Sequence, residues 1–333
     1  MALCALVGCK DPVDEAAKKR IFSAEDPPQA VAAASQKLPP EEVADDFVIA
    51  RRVLEMGAAE TTERIGAHTY NATVSWEWAQ VGRTVRLKET RELLSGPGGV
   101  SGDFAARMSN TNDQGVEVLR VGGKVFARTT YGRDGAGKFR QRLRDRGMAE
   151  RIREEASGTL RDFDQLFSGR LKLAASGTST IEGRTAWKYV VSLGPPGAEV
   201  ADGLPPLVTP KNGADGTTRL RQHFYAARDP RALSGEVYVD AETSVVLKAR
   251  LDGRLAVKGD AADGGEAGDA ELHLVIESNL TGIGRAPVIV TPKEFLPDED
   301  KPDGVAAALA RFGIERKRAD AGVPAAEPQD EGE

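Results

Sequence analysis

Cysteine is almost absent from this sequence, and what there is sits at one end. Among 333 residues only Cys4 and Cys9 are cysteine. That excludes a disulfide scaffold, a zinc finger, an iron–sulfur centre and a cysteine nucleophile in the body of the chain. Aromatic residues are scarce at 5%, and the 3 histidines, His68, His223 and His273, lie far apart without the helical spacing of a metal site. An excess of positive charge is missing too. The net charge is −6 and the pI about 5.4, so no global basic field attracts nucleic acid. No apolar run approaches the ~20 residues of a membrane-spanning helix. Gly-x-Ser-x-Gly, Walker A and His-Glu-x-x-His patterns do not occur. The chain is therefore expected to be no enzyme and to need neither cofactor nor metal.

What is present is enough for a packed core, with 40% hydrophobic and 29% charged residues. At ~150 residues per domain the length fits two domains, or one large β domain with tails. The first eight residues carry no charge and polarity begins at Lys10. Leu6-Val7-Gly8-Cys9 resembles a bacterial lipobox, the end of a lipoprotein signal peptide. A thiol is the nucleophile that accepts a diacylglyceryl group, and small Val7 and Gly8 suit a peptidase that cuts just before it. The resemblance implies a mature protein that starts at acylated Cys9, with Cys4 discarded. Lys10, rather than aspartate, follows the cysteine, and by the same resemblance the outer membrane is favoured, the folded part facing the periplasm. The apolar part is short for a secretory signal and no basic residue precedes it, so the true start is expected upstream of Met1. The alternative is an apolar N-terminus with a chance Leu-Val-Gly-Cys.

Residues 9–40 read as a polar, Ala/Pro-rich tether. Pro39-Pro40-Glu41-Glu42 opens a helix expected to run to Gly57. Tyr70, Ala72, Val74, Trp76 and Trp78 then alternate with polar residues, a period of two that predicts a strand. Further strands are expected at 83–93, 103–109, 115–121 and 124–131. The Arg-rich stretch 138–167 has helical spacing and predicts two or three short helices. Strands resume at 169–176 and 184–193, then near 219–226, at Gly235–Val239, at Ser244–Val257 and at 271–280. Residues 194–217 read as a Pro/Gly loop. From 297 to 333 the chain is acidic and read as a mostly disordered tail with one helix at 303–312. The fold class is thus α+β, mainly antiparallel: one domain at 41–296 built on a single large sheet that must curl to hide its apolar face.

The order of helix, β-meander, inserted helices and second meander resembles the periplasmic lipoprotein-carrier superfamily: the LolA and LolB carriers and the mycobacterial LprG-type lipid-binding lipoproteins. The segment Gly235 to Leu247, with Asp240 in its turn, is similar to that family's strand, Asp-containing turn and strand; Thr180-Ile181-Glu182-Gly183-Arg184 resembles the pair leading into it. The resemblance implies an unclosed half-barrel whose concave face is covered by helices and encloses an apolar cavity. The partners it implies are a lipid or the acyl chains of a lipoprotein. Candidate cavity residues are Tyr70, Val74, Trp76, Trp78, Val85, Leu87, Trp187, Tyr189, Leu247, Leu251, Leu274 and Ile276. Residue by residue, ordinary core is the favoured reading of these rows, and the alternative function is a non-catalytic scaffold subunit of an outer-membrane complex with no ligand.

Three other constellations receive ordinary readings. The histidines are expected on polar strand faces. The acidic runs Asp260–Asp269 and Asp298-Glu299-Asp300 with Asp303 lack calcium-loop spacing and read as solvated turns. The basic stretch 138–153 reads as the outer face of a covering helix, with a lipid or partner surface as the alternative. The lipobox reading is the one most directly tested. Cys9→Ala removes the acyl acceptor, so the protein is expected to move from the membrane pellet to the soluble fraction on cell fractionation. Retention in the pellet counts against the anchor.

Overall fold

The computed structural model describes residues 38–130, 137–143, 145, 147–195, 228–258 and 269–297. The chain divides into two compact units, Met1–Leu296 and Pro297–Glu333. Only Pro297 of the second is described, so the expected tail and its helix lie outside the described residues. So do Cys4, Cys9, the tether up to residue 37, His223, the 219–226 strand and most of the Asp260–Asp269 run.

The described elements are α1 (Pro40–Asp45), α2 (Phe47–Leu54) and α3 (Ala58–Ile65), then strands β1 (His68–Gln80), β2 (Arg83–Ser95), β3 (Phe104–Asn110), β4 (Gly115–Val121), β5 (Lys124–Thr130) and β6 (Phe139–Arg142). Helices α4 (Met148–Ser157) and α5 (Thr159–Leu166) follow. The chain continues through β7 (Leu171–Ile181), β8 (Arg184–Leu193), β9 (Arg228–Asp240), β10 (Val246–Val257), β11 (Ala270–Thr281) and β12 (Phe295–Leu296).

All twelve described strands form one sheet, in the order β12-β6-β5-β4-β3-β2-β1-β11-β10-β9-β8-β7. Each pairing is antiparallel except the two-residue parallel contact of β12 with β6. Two meanders, β2 to β6 and β7 to β11, meet where β1 pairs with β11 from Thr69↔Thr281 to Ala79↔Glu271. The sheet is not closed: β7 and β12 are its two ends. This is the expected α+β half-barrel architecture.

Side-chain alternation decides which face is apolar. On β10, Leu247, Ala249, Leu251, Leu255 and Val257 are buried while Lys248, Arg250, Asp252 and Arg254 are exposed. The helices cover the apolar face in two groups. Helices α1 and α2 lie on β7, and α4 lies on β2, β3 and β4 with α3 beside it. Phe163 of α5 and Phe167, which follows it, stack with ring centroids 4.6 Å apart. Gly253 makes room for the Phe167 ring: a Cβ there would sit 2.2 Å from Phe167 Cζ.

Several expectations are corrected. The helix expected to run from 40 to 57 breaks at Asp46, which is extended (φ −113°, ψ 113°) and whose side chain accepts hydrogen bonds from the N–H groups of Val48 and Ile49 at 2.7 and 3.2 Å. A short polar side chain that caps the next helix outcompetes continuation of the first. Helix α3 was not expected; its N-terminus is capped from α4, where the Glu154 carboxylate accepts from the N–H groups of Ala58 and Ala59 at 3.0 and 3.3 Å. The basic stretch 138–153 is no continuous helix. Its start, Phe139–Arg142, is a strand, because alternating Phe139, Gln141 and Arg140, Arg142 fit β5's edge. Arg153 faces inward at 1% exposure, donating to Thr62 Oγ1 at 3.1 Å and lying 5.3 Å from the Phe104 ring. The strand expected at Gly235–Val239 starts earlier, at Arg228.

Charged ties hold the helix layer. Arg91 of β2 reaches Asp162 of α5 at 2.8 Å and also pairs with Glu89. Arg51 of α2 lies 3.4 Å from Asp164 of α5, whose side chain is only 3% exposed. Burial pushes the Asp164 carboxyl up to about 6, opposed by the Arg51 guanidinium and reinforced by Glu55. An acid whose folded pKa is raised holds its proton more tightly folded than unfolded, so its ionisation destabilises the fold above that pKa and stability returns as pH falls toward ~3.9. The stability of Asp164→Asn relative to the parent chain is therefore expected to drop by about 2 kcal/mol between about pH 7 and about pH 4.5. Urea unfolding of both proteins at the two pH values measures it, and a pH-independent difference refutes the assignment.

Candidate functional site

The apolar face of the sheet, where it meets the helices, is the candidate site. Register places all the sequence-derived candidates on this face in successive rows. Tyr70 opposes Leu280, with Leu247 beyond it; Tyr189 opposes Val237. Val74 opposes Ile276, which opposes Leu251. Trp76 opposes Leu274 on one side and Leu87 on the other, and Trp78 opposes Leu272 and Val85. Trp187 opposes Val239 nearer the Tyr70 end.

Their surroundings differ. Tyr70, Val74, Tyr189, Leu247, Leu251, Leu274 and Ile276 are buried in the two apolar clusters of the core. Trp76, Trp78 and Trp187 are half-buried and pack on the larger cluster. Leu87 is also half-buried, and Val85 is exposed at 42%. The row toward the β1–β2 turn is thus where apolar surface emerges from the core into solvent. The space between helices and sheet that borders Leu54, Met56, His68, Tyr70, Leu160 and Leu280 is small, about 40 Å³. That is the scale of a water molecule or two, against several hundred Å³ for a pocket that engulfs a drug-sized ligand.

Polar groups around the site serve packing. Tyr189 donates its hydroxyl to the Pro40 carbonyl at 3.3 Å, holding the start of α1, and burial pushes it up to about 12. His68 is buried at 1% exposure, not on a polar face as expected; its Nδ1 lies 2.9 Å from the Gly66 carbonyl oxygen. Burial holds it below its ordinary value, with Arg153 adding to the effect and the Gly66 bond opposing it. Position 68 falls in step with Tyr70 and Ala72, the signal that could have placed it inside. His273 is on the polar face as expected, with Nε2 2.9 Å from Asp252 Oδ1. Among the described residues Asp252 is its one hydrogen-bond partner, and no serine hydroxyl joins the pair. No group of His, Cys, Asp and Glu able to hold a metal occurs among the described residues.

The Asp240 turn is built as the resemblance implies. Asp240 Oδ1 accepts from the N–H groups of Glu242 and Thr243, both at 2.9 Å, and the carboxylate pairs with Arg184. Burial opposes its ionisation, yet these donors outweigh burial and hold the carboxyl below its ordinary value. No described helix is long and apolar enough to cross a membrane.

No protein-family model matches the chain, and no curated protein does. Solved structures do. A DUF1329 family protein from Desulfovibrio piger aligns over 74% of this chain and 95% of its own, at 12% identity and a TM-score of 0.23. The Mycobacterium tuberculosis lipoprotein LppX aligns over 74% of this chain and 100% of its own, at 12% identity and a TM-score of 0.25. The Pseudomonas aeruginosa MucA/MucB complex structure aligns over 71% of this chain and 64% of that one, at 15% identity and a TM-score of 0.23. One of these neighbours is described as a lipoprotein. What the chain binds is argued from its own residues.

Proposed function

We propose that the chain is a non-catalytic, lipid-anchored protein of the outer membrane that binds a lipid or acylated ligand on the apolar face of its half-barrel. The observation that carries this reading is the emergence of Trp76, Trp78, Leu87 and Val85 from the core at the β1–β2 end, continuous with buried Leu272, Leu274 and Leu255. An acyl chain laid there extends the core instead of opening a new one. Each Å² of apolar area it covers contributes about 25 cal/mol, less the cost of ordering the ligand. The anchor would come from Cys9, whose two or more acyl chains hold a protein stably at a bilayer.

A second reading is favoured by the small space between helices and sheet beside Leu54, Tyr70 and Leu160. With seven of the twelve candidates buried as core and about 40 Å³ under the helices, the domain suits a filled scaffold that works through its surface. In the ligand reading the acyl chain lies on the open tryptophan end or displaces part of the helix layer; in the scaffold reading neither happens.

All three tryptophans lie at this face, so intrinsic fluorescence reports on it directly. Native mass spectrometry of the purified chain, before and after lipid extraction, followed by titration with a palmitoyl lysophospholipid, separates the readings. Bound lipid, a blue shift and several-fold weaker binding in Trp76→Ala and Trp78→Ala are expected. Absence of co-purified lipid, with thermal stability and fluorescence unchanged by the lysophospholipid, establishes the scaffold instead.

A further inference from the structure

The opposite, polar face of the sheet carries a depression of about 790 Å³, within the usual size range of ligand pockets. Its floor is made of side chains in register across five strands. One row is Arg107, Glu92, Asn71, Asn279 and Lys248, on β3, β2, β1, β11 and β10. The next row carries the hydroxyls of Ser109, Thr90 and Thr73 and the Glu277–Arg250 pair, 3.4 Å apart. At 4.7–4.9 Å between strands, each row is about 19 Å long.

One wall is the tip of the β7–β8 hairpin, Thr180 to Glu182. That strand is bent by a bulge between Ala175 and Thr178, at Gly177 with φ +102°. Glu182 itself is held at φ +53°, a region unfavourable for a residue with a Cβ, and its Oε2 accepts from Gly282 N–H at 3.4 Å. Bulges and residues held in sparsely populated conformations recur beside binding sites. Here both belong to the element that forms the wall.

The lining selects a class of ligand. Arg107, Lys248 and Arg250 are balanced by Glu92, Glu182 and Glu277, while the Arg91 guanidinium is engaged on the helix side by Glu89 and Asp162. A polyanion or polycation therefore meets no net field. No aromatic side chain lines the depression, so an acyl or aromatic ligand finds little to bury against. The backbone groups of these five strands are already paired in the sheet, which removes strand addition as a way to hold a peptide. What remains is free side-chain hydrogen-bonding capacity. Asn71, Asn279, Thr73, Glu92 and Arg107 make no side-chain hydrogen bond or ion pair among the described residues. Amides and hydroxyls that offer both donors and acceptors along a shallow floor match a ligand whose groups also do both.

We propose that this depression is a binding site for a neutral oligosaccharide, separate from the apolar face and independent of its reading. Saturation-transfer NMR on the full chain tests it, with neutral oligosaccharides of glucose, galactose and N-acetylglucosamine as probes and dextran sulfate as the charged control. At least one neutral sugar is expected to bind at or below about 10 mM, and affinity should change little between about 50 and about 500 mM salt. The double variant Asn71→Ala/Asn279→Ala should lose about tenfold or more in affinity, while Trp76→Ala should bind as the parent does. Glu182→Gly relieves the unfavourable backbone conformation, so it should raise thermal stability and weaken sugar binding together. This second variant keeps the test decisive if the double variant folds poorly. Binding of none of the sugars, unchanged affinity in Glu182→Gly, or binding confined to dextran sulfate and lost at high salt overturns the proposal.

Discussion

An open antiparallel sheet has an apolar face that must be kept from water, and this requirement organises the rest of the chain. Along β10, β11 and the first half of β1, buried side chains alternate with exposed or half-buried ones, so each of these strands commits one face to burial. The sheet does not close, so the face cannot be hidden by meeting itself as in a barrel. Helices supply the cover, and they are short, at most ten residues each among those described. Short helices are weak on their own. Their order comes from what they touch: Phe163 and Phe167 on the sheet, Arg91 and Asp162 between sheet and helix, Arg51 and Asp164 between helices. The raised Asp164 carboxyl is the cost of placing one of these ties where water is excluded.

The strands were the legible part, because their signal is local. Gly115–Val121 and Arg184–Leu193 end where alternation and turn residues place them, and β1, β2 and β11 differ from expectation by a residue or two. The helices were less legible for an identifiable reason. The cap of α3 is Glu154, nearly a hundred positions away, and Thr61 and Thr62 argue locally against a helix. At 139–142 the same residues satisfied a helical spacing and an alternating one, and only the neighbouring β5 decided between them. Short segments leave such ambiguity open.

The candidate site was legible in direction and illegible in volume. Period two correctly put twelve residues on one face, since direction follows from the pleat. How much room lies above that face depends on helix positions and on side chains such as Phe167, which fills the place left by Gly253. The polar depression was missed for the opposite reason. Its residues are ordinary solvent-facing polar positions one by one, and only pairing across β3, β2, β1, β11 and β10 assembles them.

The seam between β1 and β11 sets a kinetic condition on the whole molecule. Each meander can zip locally, hairpin by hairpin, as soon as its strands exist. The strands that join the two meanders stand about two hundred residues apart in sequence, so loop-closure entropy has to be met before their contacts repay it. Until β11 arrives, β1 presents an unpaired edge and a row of tryptophans to its surroundings. A chain emerging from its N-terminus therefore passes through a state in which half of the sheet waits, sticky and unfinished, for the other half. That interval is when a chaperone or an early partner has the most surface to hold.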